Sequence, residues 1–327
     1  MLRIGLIGAG VIGRLHMFSF LHLQGAKVVG VADPLVDRAR ELAAVAGAEA
    51  HEDWHALVGQ VDLAWVCTPP KVHEEQTAEL ARAGIHVFCE KPIALDVAAA
   101  DRMIAACRAG GVHLMVGHVI RYYPETRKII ELRDGGELGD TVFVFAHRLT
   151  LGSPLPRERR DVSTWGGFSV ESGIHEADTV RVFGGEVASV QARVACTDPE
   201  YPDYDTDYRA LLALKSGASG EVQESVIAPL RDWSWGICGS KAGAASPRRG
   251  IVQVARPGHE AETVEVAPVT DREANVNCSM LAENQAFIDA VRADRTVPIP
   301  GEEGRQNLAV ILAGLRAARE GRPVEPA

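Results

Sequence analysis

The chain has 327 residues, 46% hydrophobic and 24% charged, values ordinary for a globular protein. They exclude a disordered chain, a collagen, a coiled coil and a small disulfide-stapled domain, and the length predicts two domains, each with its own core. Lys plus Arg number 34 against 44 for Asp plus Glu, and the resulting net charge of −10 argues against a nucleic-acid partner.

The opening stretch MLRIGLIGAGVIG is apolar but broken by glycine and lacks a cleavage-site pattern. It is read as a first strand, not a signal peptide. No window approaches the ~20 apolar residues that cross a bilayer, so no membrane span is expected. Cys67, Cys89, Cys107, Cys196, Cys238 and Cys278 show no CxxC spacing, and several sit in apolar runs. A free thiol packs as a small hydrophobe, which points to a reducing cytoplasm.

Strand-like apolar runs occur at Leu2–Ile7, Lys27–Ala32, Asp62–Cys67, Ile85–Cys89 and Val112–Val116. Stretches rich in Ala, Leu, Glu and Arg separate them. Between Asp96 and Ala109, the apolar residues Val97, Ala100, Ile104 and Cys107 share one helical face, with Asp96 as the N-cap. Buried strands alternating with helices predict a doubly wound parallel sheet over residues 1–117.

From residue 118 to 327 the rhythm changes. Thr141–Leu149, Val187–Val194, Tyr208–Leu214 and Gly220–Ile227 are expected to be strands, with Lys215-Ser216-Gly217 as a hairpin turn. Helices are expected at Pro124–Arg133, His175–Phe183, Leu281–Ala293 and Glu302–Glu320, the last stopped by Gly321 and Pro323. The prediction is an α+β domain with a largely antiparallel open sheet. Gly152–Arg160 and the acidic stretch Asp198–Asp207 are read as solvated connections.

Gly8-Ala9-Gly10-Val11-Ile12-Gly13 follows the first strand and opens a helix. In that setting a GxGxxG run makes a dinucleotide cradle: a tight turn, a close approach to the pyrophosphate, and a close helix–strand contact. Gly8, Gly10, Val11 and Ile12 are the phosphate-side candidates, because a helix N-terminus offers unpaired N–H groups and a positive dipole end. Asp33, closing the second strand twenty residues past Gly13, can accept from both ribose hydroxyls and would repel a 2′-phosphate. NAD is therefore expected in preference to NADP.

Further motifs follow. Cys67-Thr68-Pro69-Pro70 ends a strand, with His73 just beyond. Then come Gly84-Ile85-His86-Val87-Phe88-Cys89-Glu90-Lys91-Pro92-Ile93-Ala94, Gly117-His118-Val119-Ile120-Arg121-Tyr122-Tyr123-Pro124, Gly136-Glu137-Leu138-Gly139, Gly166-Gly167, and Gly173-Ile174-His175 with Asp178. Together with the tail Glu320-Gly321-Arg322-Pro323-Val324, these runs resemble the Gfo/Idh/MocA oxidoreductases, the glucose–fructose oxidoreductase and inositol dehydrogenase family. The resemblance covers nearly the whole chain. It implies a Rossmann domain followed by an α+β substrate and oligomerisation domain.

The resemblance places the catalytic histidine at His175, an imidazole that can take and return a proton near neutral pH. Lys91, at the carboxyl end of a strand, is the second candidate, with an ammonium to stabilise developing alkoxide charge. Glu90 is implied at the nicotinamide end, the Lys91–Pro92 bond can be cis, and Thr68, Pro69 and His73 join the cofactor candidates. One position departs from the family pattern: the Asp usual four residues before the histidine is here Glu171. This longer carboxylate is expected either to pair with Lys91 and orient it or to mark a different substrate.

Arg121 falls where the family has a substrate-contacting arginine, its fork suited to vicinal hydroxyls or a carboxylate. Tyr123, His118 and Trp235 are further pocket candidates. Trp233 and Trp235 lie on one side of a strand, where they would stack on a sugar or line a subunit contact. No residue set recurs at metal-ligand spacing, and no metal is expected.

The expected activity is NAD-dependent hydride transfer at a secondary hydroxyl of a sugar, cyclitol or glycoside. The alternatives are an NAD-retaining enzyme that cleaves glycosides or epimerises through transient oxidation, and a non-catalytic NAD-binding regulator. A homodimer or homotetramer is expected, formed over an apolar sheet face that includes Leu212, Leu214 and the two tryptophans.

Overall fold

Short strands and helices alternate at the start of the chain, in a computed structural model that describes residues 1–151, 157–267 and 272–327. The strands are β1 (Leu2–Ile7), β2 (Ala26–Ala32), β3 (Glu49–His51), β4 (Leu63–Val66), β5 (His86–Glu90) and β6 (Leu114–Gly117). Between them lie α1 (Val11–Phe20), α2 (Val36–Ala46), α3 (His73–Arg82) and α4 (Val97–Gly110). The sheet runs β3-β2-β1-β4-β5-β6 with every pair parallel. Parallel neighbours need crossover helices, and these cover both sheet faces, so β4 is buried at every residue. Strand order reverses between β1 and β4, which opens a crevice at the carboxyl ends of the strands.

The anticipated strands and the α4 cap are present: the Ala99 N–H donates to Asp96 Oδ1 at 2.8 Å. β3 was not anticipated, since three residues are too few to show a period.

Farther along come α5 (Pro124–Asp134), β7 (Thr141–Leu151), α6 (Val162–Trp165), α7 (Ile174–Gly184), β8 (Val187–Ala195), β9 (Asp207–Leu214) and β10 (Ser219–Ser225). β11 (Ile227–Gly239), β12 (Gly243–Arg248), β13 (Ile251–Ala255), β14 (Glu262–Glu265), α8 (Arg272–Arg292) and α9 (Gly301–Glu320) complete the chain. The second sheet runs β14-β13-β12-β11-β7-β10-β9-β8, and only β7–β10 pair in parallel. The β9–β10 hairpin turns at Lys215-Ser216-Gly217, with Gly217 at φ +89° and the Leu214 N–H on the Ala218 carbonyl at 2.9 Å. β12 reads Gly-Ala-Ala-Ser-Pro-Arg, residues of low strand propensity, and was not foreseen.

Helix α7 lies on one face of this sheet so closely that a Cβ on Gly184 would fall 2.4 Å from Leu214 and 3.1 Å from Val144. Leu212, Leu214 and Trp235, expected to need a partner subunit, are therefore 3%, 4% and 2% exposed, buried within the chain itself. The opposite face carries Phe143, Phe145, His147 and Leu211.

The chain forms two compact units, Met1–Val119 with Val276–Arg305, and Ile120–Asn275 with Gln306–Ala327. The first break falls after Val119, two residues from the expected division at 117, and the first unit also takes in residues 276–305. This inclusion has a packing cause. Phe287 on α8 meets Trp65 edge-on at 5.3 Å and Phe88 at 5.8 Å, and the Val116 N–H donates to the Ile299 carbonyl at 2.9 Å.

Candidate active site

In the first unit the glycine run is shaped for a ligand. Gly8 has φ +99°, and a Cβ there would sit 2.6 Å from the Cys67 carbonyl oxygen; one on Gly13 would sit 2.1 Å from the Gly8 oxygen. Both positions are therefore closed to any side chain. A Cβ on Gly10 would meet nothing within 4 Å, so that glycine keeps space open at the start of α1. Gly10 is the N-cap, with no side-chain cap and no acidic residue in the first turn. The first-turn N–H groups and the positive helix end are thus left to an anion. Beside the opening Val11 is 66% exposed.

Asp33, 8% exposed, takes the Ala9 and Leu35 N–H groups at 2.8 Å each, which anchors its carboxylate to the cradle. The arrangement has room and donors for a dinucleotide, which Gly8, Gly10, Val11 and Ile12 would hold at the pyrophosphate and Asp33 at the adenosine ribose.

Thr68 and Pro69 follow β4 at the same end of the sheet, and the Thr68 hydroxyl donates to Gln76 at 2.6 Å. His73 is 0% exposed, with Nε2 2.8 Å from the Thr68 carbonyl and Nδ1 3.1 Å from the Pro92 carbonyl. Its burial lowers its pKa, against the pull of those carbonyls. The ring leaves no surface for a cofactor, in contrast to the expectation for His73; it braces the loop after β4 against the one after β5. The Lys91–Pro92 bond is cis. Glu90 is buried, with Oε1 2.8 Å from His16 Nε2 and Oε2 accepting the Lys91 N–H at 3.1 Å. Burial alone would raise its pKa, yet His16 and Lys91 hold it below the ordinary value. His118 is wholly buried in this unit.

In the second unit the chemistry gathers on one turn. Ser169–Gly173 form a single π-helical turn that leads into α7, and Gly167 precedes it at φ +93°. Asp205 accepts the Phe168 and Ser169 N–H groups at 2.7 Å each and also the Ser169 hydroxyl. Pro199, Glu200, Pro202 and Asp203 of the acidic stretch are exposed as expected, but Tyr204 and Asp205, 1% and 5% exposed, form a clamp under the turn. Its burial raises the Asp205 pKa, partly offset by those hydrogen bonds.

His175 is the second residue of α7, half-buried, with its carbonyl accepting the Thr179 hydroxyl at 2.9 Å. Glu171, 4% exposed, accepts from Arg159 Nη1 at 2.8 Å, and the Arg159 guanidinium lies 4.5 Å over the Trp165 ring. Glu171 therefore has an arginine partner that the sequence did not suggest.

Behind the turn, Arg148 donates to Glu176 at 3.0 Å and to Ser172 at 2.9 Å, and lies 4.8 Å over Trp233. Glu224, on β10, is fully buried against Gly173, where a Cβ would fall 2.6 Å from Oε2. Burial and then the charge of Glu176 push its carboxyl well above the usual range, against the pull of Arg148. Arg148 is thus paired directly with Glu176, and Glu224 lies buried beside that pair.

Arg121 spends its fork on Asp178, Nε at 3.0 Å and Nη2 at 2.6 Å, and Asn307 donates to the same carboxylate at 2.6 Å. The fork read as a substrate clamp is thus occupied within the unit. Tyr123 is 4% exposed under the Arg249 guanidinium, 3.5 Å from its ring centre. Trp235 packs 5.7 Å from Trp233 and 6.2 Å from Tyr123, so its faces are covered by side chains of its own unit and not open to a sugar.

Sequence reading missed His16, Asn284, Arg148, Arg159, Glu176, Glu224 and Asn307. Two signals were available. Glu224 is a charged residue at an inward position of an alternating strand, and Ser172 and Glu176 are spaced i, i+4.

Two family descriptions match the chain: the oxidoreductase family's NAD-binding Rossmann fold over residues 2–118, and the family's C-terminal alpha/beta domain over residues 131–325. The chain is 30% identical to the myo-inositol 2-dehydrogenase of Thermotoga maritima, across 99% of this chain and 98% of that protein. Among solved structures, an aldose-aldose oxidoreductase from Caulobacter crescentus complexed with glycerol superposes with a TM-score of 0.87 at 26% identity, covering 99% of both chains. A levoglucosan dehydrogenase in complex with NADH gives a TM-score of 0.90 at 21% identity over 100% of this chain and 99% of that one, a likeness of fold. With the glycine cradle, the buried Glu90 and the whole-chain match agreeing, the chain belongs to the Gfo/Idh/MocA oxidoreductase family and is an NAD-dependent oxidoreductase.

Proposed function

We propose that the chain oxidises a secondary hydroxyl of a cyclitol or sugar, with Lys91, His175 and Glu171 as its catalytic groups. The observation that carries this reading is the retention of Lys91 and His175 at the family's motif positions in a chain matched end to end by a myo-inositol 2-dehydrogenase. Bound NAD supplies the hydride acceptor. His175 takes the hydroxyl proton as the carbon–hydrogen bond breaks. Lys91 supplies an ammonium suited to stabilising developing alkoxide charge. Glu171, held by Arg159, supplies a carboxylate that either orients Lys91 or marks a different substrate.

Monitoring NADH absorbance across a panel of cyclitols, aldoses and glycosides, beside product analysis, tests the reading. NADH formed in step with ketone supports it. Product without NADH replaces it by the NAD-retaining, glycoside-cleaving or epimerising alternative. Hydride transfer indifferent to both Lys91→Ala and His175→Ala leaves the non-catalytic regulator.

The chain is further proposed to be a homodimer, or a tetramer built from dimers. Support comes from the sheet face opposite α7. Phe143 stacks on Phe145 at 6.1 Å, Phe145 meets His147 at 5.1 Å, and Leu211 is 63% exposed. Light scattering at micromolar concentration that gives the monomer mass refutes this. A cytoplasmic location is supported by free thiols, with Cys67, Cys89 and Cys107 buried. Among the described residues no helix is long and apolar enough to cross a membrane.

A further inference from the structure

His16 lies three residues beyond the last glycine of the cradle, on α1, and is 0% exposed. Phe88 meets its ring edge-on at 5.3 Å, and Phe20 stacks at 5.8 Å. Its two nitrogens each have one neighbour: Nδ1 is 3.1 Å from Asn284 Oδ1, and Nε2 is 2.8 Å from Glu90 Oε1.

The proton on Nδ1 can be deduced from its surroundings. The Trp65 indole N–H is only a donor, and it reaches the same Asn284 Oδ1 at 2.9 Å, so that atom is an acceptor. The other Asn284 amide atom, Nδ2, donates to the Ser19 hydroxyl at 2.6 Å, and this hydroxyl donates in turn to the His16 carbonyl at 2.7 Å. The amide is locked in one orientation, and His16 Nδ1 must be the donor.

Nε2 is then left facing Glu90, and one proton serves both atoms of that contact. With the proton on Nε2 the pair is imidazolium and carboxylate; with it on Oε1 the pair is neutral. In either form Oε1 is held by His16, which turns Oε2 to the Lys91 N–H at 3.1 Å. Gly117 leaves room for this carboxyl, since a Cβ there would sit 2.8 Å from Oε1. The other titratable groups whose charge acts here are Lys91, His73, Cys67 and Cys89. Burial raises both thiols, which keeps them neutral.

We propose that His16 is a positioning residue for hydride transfer: with its Nδ1 proton fixed by Asn284, it holds Glu90, and Glu90 holds the backbone of Lys91. The role rests on the catalytic reading of Lys91 above. His16 touches neither cofactor nor substrate; it acts through Glu90. α8 thereby takes part in catalysis through Asn284, although it lies far along the chain from Glu90 and Lys91.

The test combines kinetics of the NAD-bound full chain, using the polyol that turns over best, with NMR. His16→Leu is expected to lower kcat by roughly 10- to 100-fold, the cost of an ångström-scale misplacement, with the polyol KM changed less than about 3-fold. His16→Gln is expected to recover most of the loss, because a carboxamide NH2 has one hydrogen for Asn284 and one for Glu90. Equal, wild-type kcat in both variants overturns the role. So does a His16→Gln as impaired as His16→Leu.

If His16→Leu fails to fold, Asn284→Leu, which removes only the acceptor for Nδ1, takes its place. On 15N-histidine-labelled protein, the signal lost in His16→Gln must show a protonated Nδ1 at neutral pH; an unprotonated Nδ1 overturns the tautomer assignment. Lys91→Ala separates the layers. Activity lost there but kept in His16→Leu sinks this inference alone. Activity kept in Lys91→Ala removes the catalytic reading and His16's role with it.

Discussion

The two units prepare for chemistry in opposite ways. In the first, the ligand-facing surface is mostly backbone: positions 8 and 13 are closed to side chains, Gly10 is left open, and the start of α1 has no side-chain cap. In the second, side chains from distant elements meet beneath one turn: Arg148, Arg159, Glu171, Glu176 and Glu224, each buried or half-buried. A backbone cradle recognises a phosphate whatever surrounds it. A network of paired charges must be complete, because a buried charge that loses its partner is strongly destabilising. The phosphate cradle of the first unit should therefore respond chiefly at its glycines, whereas the charge network of the second should respond to single charge deletions.

The largest effects are expected where each unit contributes its proposed catalytic group. His175→Ala and Lys91→Ala should each lower kcat about 10²- to 10⁴-fold, the usual worth of a placed acid or base, in steady-state NADH formation. If only one does, the division of labour between the units is wrong.

Next in size is a contrast among the glycines. Gly10→Ala should weaken NADH at least about 10-fold in fluorescence titration, because its methyl enters space needed by the pyrophosphate. The melting temperature should stay near wild type, since that methyl meets nothing within 4 Å. Gly8→Ala should lower the melting temperature as well, having both the positive φ and the Cys67 carbonyl against it.

A smaller effect is expected at Arg159. Its replacement by Ala leaves Glu171 without the 2.8 Å contact and should cost about 10-fold in kcat/KM, with NADH affinity unchanged. A shift confined to NADH affinity would break the comparison, because a second-unit residue would then be serving the cofactor.

The smallest concerns Glu224→Gln, a near-isosteric change at a carboxyl whose pKa burial raises. The folded pKa of Glu224 is raised above its unfolded value, which is about 4.3. Its contribution to stability is therefore full below the unfolded pKa and falls away as pH rises toward the folded one. Thermal melts of the variant should gain on wild type over the pH range that opens above the unfolded value. A constant difference across that window would mean that Glu224 is ionised throughout.

The legibility of the two units in the sequence follows the same contrast. Gly8, Gly10, Gly13 and Asp33 could be read because their spacing along one strand–turn–helix is the geometry itself. The first sheet was legible for the same reason: strands buried on both faces appear as unbroken apolar runs. The clamp on the π-helical turn was not, since Asp205 reaches Ser169 across 36 residues in a stretch composed like a solvated loop. Arg159 sits in a Pro- and Arg-rich stretch whose composition gives no hint of Glu171. Trp235 was misassigned because alternation reveals which residues share a face but not what already covers it. His16 and Asn284 are separated by 268 residues, and no local pattern links them.

That last pairing has a consequence for how the protein is made. A ribosome releases Met1–Val119 long before residues 276–305, yet Trp65, Phe88 and His16 find Phe287 and Asn284 only in that later segment. Until that segment emerges, the nucleotide-binding unit lacks the Phe287 and Asn284 side chains that pack on Trp65 and Phe88 and pair with His16. Its final folding step closes a loop of most of the chain, which is slow and exposed to aggregation. Cellular yield should therefore depend more on the carboxy-terminal third, and on chaperones that shield that unit, than the amino-terminal position of the cofactor motif suggests.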